Sequence, residues 1–501
     1  MAHLLSGSSD GTIAENARSL RRQGYSETEA LARANKFAKD SEDSTPTDVE
    51  DSDDSDSSRK DSTRQFVIVT KDFSGLGWAK KLQEEGETVT VATDFEEEDD
   101  PELRKQMKKV GTDWIDVLQL SEAFNTLRTD QTYWIFTENN FPQEADRLRR
   151  QGQKVFGTSM LSEKLEHDRQ YATQVAKDAG LPSPPTHEFS TRQEGLAFLD
   201  QHTDKAYVFK PDDGKYNFMT FIPVRQGDKD ANRELYVYLE HMKKEPGTYI
   251  LQERIPVEDA LEVNAEVWLY EGEPFLATMG LEVKRKNTYD LGEMCGCGGD
   301  FVQFIPLDSE LVKQTIGKLL PFYKKQKYTG FADVNVIFTK DGEPHFLEVC
   351  DRFGYNAQVT MFLALAKDGF GNIMADYMDG HVDDIAKRFR TDIGCSMTLF
   401  IDHPVSGLPV HVDEDREKQF YPFDGYKAND QLLLTGYSDE IGVYVDHGET
   451  IEAAAHKVWN QVVFDEAVSF PGMYYRSDLW KDDYYNSPLL RYRELKKRKL
   501  L

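Results

Sequence analysis

Residues Tyr328 to Gln358 read YTGFADVNVIFTKDGEPHFLEVCDRFGYNAQ. Two apolar runs, GFADVNVIF and PHFLEV, flank Lys340-Asp341-Gly342, and an Asp-Gly pair between alternating apolar residues predicts a tight β-hairpin. Polar residues stand where a buried strand should carry none: Asp333, Asn335 and Glu348, with Asp351 and Arg352 following at once. Asp333 and Asn335 are two apart and therefore share one face of their strand, which the hairpin sets beside Glu348. Buried carboxylates gathered in this way are costly unless a cation compensates them. Oxygen ligands of this kind suit magnesium, or manganese in its place, shared with substrate phosphates.

The composition sets the frame. A chain of 501 residues, 39% hydrophobic and 12% aromatic, has material for two to four domains with substantial cores. A net charge of −29 disfavours binding to nucleic-acid backbones, although part of the acidity is concentrated in one segment. No apolar run is long enough to span a bilayer and no signal peptide is expected. Cys295, Cys297, Cys350 and Cys395 form no C-x-x-C pair and have no histidine cluster beside them, which predicts a reduced, cytoplasmic protein without a zinc site.

Outward from the hairpin, the chain divides by pattern. Residues 1–40 carry a helical period (Ala14, Ala17, Leu20; then Ala30, Leu31, Ala34, Phe37) broken at Gly24, with Ser26 and Glu29 as a capping box. The expected helical hairpin is similar to short N-terminal modules of some tailed-phage proteins. A docking or solubilising role outweighs DNA binding through Arg18, Arg21 and Arg22. Residues 41–63 are a Ser/Asp/Glu-rich linker, expected to be disordered. Residues 64–158 alternate apolar strands with helices, as in a small parallel α/β domain. Its Ser74-Gly75-Leu76-Gly77 turn is weighed as an ordinary strand-to-helix turn ahead of a phosphate loop. Residues 159–385 form a mostly antiparallel unit, with a helix expected from Ser162 to Ala179. Residues 386–485 form a last α+β unit. Residues 486–501, ending in Lys496, Lys497, Arg498 and Lys499, are expected to be a solvated basic tail.

Within the third of these units, Lys210 ends an apolar strand and enters the loop KPDDGKYN, a natural clamp for phosphate that also offers Lys215 as part of a lid. Gln252 and Glu253 end another strand, where exposed main chain could read an adenine edge. Glu262 and Glu266, on the next strand, could hold ribose hydroxyls.

That order of a lysine strand, a polar hinge, an acidic strand and a carboxylate hairpin resembles the ATP-grasp superfamily. More narrowly, the chain from Phe66 to about Trp480 resembles phosphoribosylamine–glycine ligases. The likeness rests on FGTSMLSEKLEHDRQYATQVAKDAGLPSP (Phe156–Pro184), VKRKNTYDLGEMCGCGG (Val283–Gly299), YTGF (Tyr328–Phe331), LEVCDRFG (Leu347–Gly354), DHGETIEAAAHKVWNQV (Asp446–Val462) and YYRSDLW (Tyr474–Trp480). The resemblance implies a multidomain α/β and α+β protein: an ATP-grasp fold between an N-terminal parallel α/β (pre-ATP-grasp) domain and a C-terminal α+β domain. It implies ATP as cosubstrate, with Arg169 and Lys210 on the phosphates, Gln252 and Glu253 at adenine and Glu262 near ribose. Glu348 would be the metal carboxylate, and Lys284, Arg285 and Arg352 would face an acyl phosphate and the substrates.

The implied reaction joins a small-molecule carboxylate to an amine. Departures from the family pattern bear on which ones. The family's glycine-rich phosphate motif reads VTKDFSGLGWAK here, and only Glu138 persists from its glycine-proline-glutamate turn. Cys350 stands where the family has a metal asparagine, leaving Asn335 or Asp351 to substitute. A changed acid or amine is therefore weighed equally with the parent reaction. Two other readings stay open: a phage enzyme attaching an amino acid to a nucleotide or modified base, in the host cytoplasm, and a non-catalytic ATP-binding scaffold. Cys295 and Cys297 are read as small residues near a ligand rather than as a reactive pair.

Overall fold

The computed structural model describes residues 64–211, 220–225, 227–243, 245–256, 260–484 and 486–501. The expected N-terminal hairpin, the acidic linker and Lys215 lie outside the described residues.

The first unit is a five-stranded parallel sheet in the order β3-β2-β1-β4-β5, formed by β1 (Gln65–Val69), β2 (Thr88–Thr93), β3 (Val117–Gln119), β4 (Thr132–Phe136) and β5 (Lys154–Phe156). Strand β1 is apolar on both faces because both are covered: Phe66 and Ile68 pack into one core with Trp78, while Val67 and Val69 pack into another with Phe124 and Trp134. The Ser-Gly-Leu-Gly turn is a packing device. A Cβ at Gly75 would fall 2.4 Å from Ile68 Cγ2, and one at Gly77 2.3 Å from the Tyr421 ring. These two glycines let the helix Leu76–Glu84 approach both its own sheet and a strand of the last unit.

A small antiparallel sheet follows, in the order β6-β8-β7, from β6 (Thr186–Phe189), β7 (Tyr207–Pro211) and β8 (Tyr249–Glu253). Its core joins Tyr207, Phe209, Tyr249 and Leu251 to Leu199, Leu235 and Leu239 of the helices Arg192–Gln201 and Asp228–His241. The single helix expected from Ser162 to Ala179 is two, Met160–His167 and Arg169–Asp178. Asp168 makes the break, its carboxylate accepting from the Tyr171 amide at 2.9 Å as the cap of the second helix.

The rest is built on one ten-stranded sheet. It contains β9 (Leu261–Tyr270), β10 (Glu273–Gly280), β11 (Val283–Asn287), β12 (Leu291–Ile305), β13 (Gly330–Phe338), β14 (Pro344–Cys350) and β15 (Ile393–Ile401). The path runs β14-β13-β9-β10-β12-β15 and continues into strands Glu440–Gly448 and Phe420–Pro422. Pairing of β12 with β15, from Gly299↔Met397 to Gln303↔Ile393, carries the sheet across the boundary expected near residue 385. The last unit therefore shares its sheet with the middle one.

The basic tail is also corrected. Residues Pro488–Lys497 form a helix, and Leu489, Tyr492, Leu495 and Leu500 are buried in the central core. Arg491, only 4% exposed, donates to the carbonyls of Glu262 at 3.2 Å and Glu282 at 2.7 Å. Lys496, Lys497 and Lys499 face solvent, as does Arg493, on the outer side of a docked element. No helix among the described residues is long and apolar enough to cross a membrane.

Candidate active site

The hairpin forms as its turn chemistry dictates, with Asn335 opposite Glu348 and Asp333 opposite Cys350. A bulge between Asn335 and Val336 shifts the register just below Glu348. On the other side of β13, Asn335 faces Asn264 and Asp333 faces Glu266 of β9. Directly opposed residues of an antiparallel pair share a face, so one face of the sheet gathers Glu262, Asn264, Glu266, Asp333, Asn335, Glu348 and Cys350.

Cations converge on Glu348. Lys284 Nζ lies 3.3 Å from its Oε1, and Arg169 Nη1 lies 3.6 Å from its Oε2. Burial alone would push the Glu348 carboxyl up, but Lys284, Arg169 and Lys210 outweigh it and hold the group well below the usual carboxylate range. Lys284 also lies 3.5 Å from Glu262 Oε1 and 3.6 Å from Glu282 Oε2. Asn335 donates through Nδ2 to Glu262 Oε1 at 3.0 Å. Its Oδ1 is buried with no protein partner.

Lys210 projects from the end of β7 and donates to Gln252 Oε1 at 2.9 Å. Burial, aided by neighbouring Arg169, pushes its ammonium down to about 8. Arg169 is tied to the same strand end by a 3.3 Å hydrogen bond from Nε to the Pro211 carbonyl. Lys210, Arg169, Lys284, Gln252, Glu262, Asn335 and Glu348 thus form one connected constellation. Glu262 belongs to its carboxylate side through Asn335 and Lys284.

The remaining expected residues are placed elsewhere. Asp351 is fully buried and accepts from the Tyr323 hydroxyl at 2.7 Å, on the core side of the chain as it leaves β14. Burial pushes its carboxyl well up, and the side chain is turned into the core away from Glu348. Glu266 is 1% exposed, takes a hydrogen bond from Thr278 and is likewise pushed well up by burial and by Asp333, which removes it as a ribose ligand. Arg285 follows Lys284 on β11 and so points to the opposite face, where Nη1 donates to the Gly292 carbonyl at 2.8 Å across the hairpin. Arg352 pairs with Glu166 at 2.9 Å and lies over the Tyr355 ring. Glu253 pairs outward with Lys205 at 2.6 Å. The amide of Glu253 donates to the Pro185 carbonyl and that of Arg254 to the Ala206 carbonyl, so the first two amides of the expected adenine hinge are already satisfied.

Two groups escaped sequence reading. Glu282 holds Lys284 from two residues away, and the alternation Glu282-Lys284-Lys286 was a signal for it. Glu166 orients Arg352 from a distant helix, and nothing local marks it. Cys295, Cys297 and Cys350 all have thiols pushed up by burial, which agrees with the unreactive reading of the first two and makes Cys350 a poor metal ligand.

The donor set fits one magnesium ion. Glu348 is ionised, and the Asn335 Oδ1 beside it is an orphaned buried acceptor. No group of three His, Cys, Asp or Glu among the described residues could hold an ion by itself. That suits magnesium, which is commonly held by one or two protein ligands plus water and phosphate.

A second cluster lies where the parallel domain meets this face. The Glu138 carboxyl accepts from Thr70 Oγ1 at 3.0 Å, the Lys71 amide at 3.1 Å and Thr137 Oγ1 at 2.8 Å, and also binds the Ser74 hydroxyl. Burial and the adjacent Asp72 push it up to about 8. Glu440 is pushed up to about 7 by burial, Asp439 and Asp72. The charges acting on Tyr355 here are Asp72, Glu138 and Glu166 against Arg352.

No protein-family model matches the chain. Among curated proteins, the phosphoribosylamine–glycine ligase of Streptococcus suis is 20% identical over 387 residues, covering 73% of this chain and 88% of that protein. Among solved structures, the phosphoribosylamine–glycine ligase of Thermotoga maritima superposes with a TM-score of 0.60 at 18% identity, covering 83% of this chain and 99% of that one. The biotin carboxylase of Campylobacter jejuni, solved as a β-γ-ATP complex, superposes with a TM-score of 0.56 at 12% identity, covering 82% of this chain and 93% of that one. These likenesses establish the fold, that of the ATP-grasp proteins, and agree with the resemblance carried by the sequence.

Proposed function

We propose that this protein is an ATP-dependent ligase that joins a small-molecule carboxylate to a small-molecule amine through an acyl phosphate. One observation carries the reading: an ionised carboxylate, Glu348, held in the sheet floor by Lys284 and Arg169 and within the field of Lys210. Phosphoryl transfer asks little of a protein beyond positioning and charge neutralisation, and this constellation offers both. The substrate carboxylate oxygen bonds to the γ-phosphorus of ATP as the bond to the β,γ-bridging oxygen breaks, releasing ADP. The amine nitrogen then attacks the acyl carbon, phosphate leaves, and the nitrogen gives up a proton. Lys210 and Arg169 would orient the triphosphate from the β7 side, and Lys284 would face the transferred phosphoryl group. A magnesium ion, when bound by Glu348 and Asn335, would add charge neutralisation between the phosphates.

The cluster around Glu138 favours an amine other than a phosphorylated one. Hydroxyls and an amide of the chain itself saturate the Glu138 carboxyl, and Arg352, the cation acting on this cluster, is already paired with Glu166, which leaves little to hold a phosphate group.

ADP release measured against a panel of amino acids and amines, phosphorylated and not, tests both statements. Turnover that needs one acid and one unphosphorylated amine is expected. ATP binding without turnover for any pair would leave the non-catalytic scaffold standing instead.

A further inference from the structure

We infer that the ammonium of Lys284 takes the place of a second divalent cation, so that the site works with one metal ion and one lysine. The inference rests on the ligase reading above and concerns how its charge is neutralised. Three carboxylates converge on this nitrogen: Glu348 at 3.3 Å, Glu262 at 3.5 Å and Glu282 at 3.6 Å. Glu262 comes from β9, Glu348 from β14 and Glu282 from the segment just before β11, and among the described residues Lys284 is the one cation paired with all three. The ammonium is bound to the fold at both ends of its environment. Its backbone lies in β11, hydrogen-bonded to β12, and Arg491 fixes the main chain of two of its partners by donating to the carbonyls of Glu262 and Glu282.

The residues beside it do not supply a second metal site. Cys350, opposite Asp333, presents a sulfur, a soft donor unsuited to magnesium. Asp351 is turned into the core toward Tyr323. Asn335 gives its amide nitrogen to Glu262, so only its oxygen is left to face an ion. Glu348 and that oxygen are the donors left to serve one ion. A second dication among Glu348, Glu262 and Glu282 would have to share their oxygens with an ammonium already in contact with all three, and like charges at such a distance in a partly dry site repel strongly.

The test uses manganese as a magnesium substitute visible by electron paramagnetic resonance. Mn2+ is titrated into the full-length protein with a non-hydrolysable ATP analogue, and retained nucleotide is measured on the same samples. One Mn2+ per bound nucleotide is expected. Two per bound nucleotide overturns the inference and leaves the ligase reading intact, whereas failure to retain nucleotide overturns the ligase reading and the inference with it. Lys284→Ala or Lys284→Gln should admit a second Mn2+, and Lys284→Arg should stay at one. A neutral variant that retains nucleotide and still binds a single Mn2+ would also overturn it.

Discussion

Two groups of acids lie side by side on one face of the large sheet, and their surroundings shift their proton affinities in opposite directions. Glu348 sits across from Asn335 and is held ionised by Lys284, Arg169 and Lys210. Two residue pairs further along the hairpin, Asp333 begins a group with Glu266 and Asp300 in which every carboxyl is pushed well up by burial and by neighbouring acids. The contacts explain the contrast. Lys284 reaches Glu348 at 3.3 Å, whereas the Asp333 Oδ2 receives only a neutral amide, Asn264 Nδ2, at 3.1 Å. The Asp333 Oδ1 and Asp300 Oδ2 atoms have no partner at all. The same residue types on the same strands thus give a charged, ligand-facing floor where cations reach and a neutral, structural filling where they do not. Proximity in sequence to a functional carboxylate does not confer function.

The sharpest way to break this comparison is to neutralise one acid in each group. Glu348→Gln removes a charge that the fold maintains and is expected to lower kcat by about a hundredfold or more. Glu266→Gln replaces one neutral group by another of the same shape and keeps an acceptor for the Thr278 hydroxyl, so its kcat should stay within about threefold of the unchanged protein. Steady-state ADP release for both variants decides it. Equal losses would mean that Glu266 is ionised and takes part; equal retention would remove Glu348 from the site.

Much of this contrast was legible in the sequence, and the illegible part has a pattern. The hairpin, its register and the pairing of Asn335 with Glu348 follow from period-two alternation and an Asp-Gly turn, both local. Lys210 at the end of β7 was legible for the same reason. Its bond to Gln252 was not, because strand pairing over that separation is settled by the whole small sheet. Asp351 was misassigned because alternation stops where β14 ends, and the direction of the next side chain is set by Tyr323, which packs from elsewhere in the fold. Arg285 follows Lys284 by one residue, and adjacent strand residues face opposite sides of the sheet. The C-terminal helix was hidden by its lysines, although Leu489, Tyr492 and Leu495 recur at helical spacing beneath them. The protonation states of Asp333, Glu266 and Asp300 were out of reach, because they depend on which cations stop short of them.

Lys210 sharpens the cationic side. Its folded-state value of about 8 lies below that of an exposed lysine, so in the free protein it loses its proton as pH rises through about 8. A bound triphosphate favours the charged form and raises that value. Nucleotide binding at pH 8.5 should therefore take up protons, and affinity should weaken from pH 7 to pH 9. Calorimetry in buffers of different ionisation enthalpy measures the uptake, which Lys210→Met should abolish. Uptake that persists in the variant would assign the proton to another group.

The smallest effect is expected from Asp333→Asn, and it probes the neutral side through stability. A carboxyl whose folded-state value lies above its unfolded one binds a proton more tightly when folded. Its stabilising contribution is complete below the unfolded value, near pH 4, and is lost as pH rises through the folded value. The unchanged protein should therefore lose stability with rising pH above that range. The variant should lose it less steeply, by at most about 1.4 kcal/mol per pH unit for the one proton removed. Urea midpoints between pH 5 and pH 8 read the two slopes. Nucleotide affinity should be unchanged, because the Asn264 amide can still donate to the new carbonyl. Parallel slopes would show that Asp333 is ionised in the folded protein, and the two halves of this face would then differ in their cations but not in their charge.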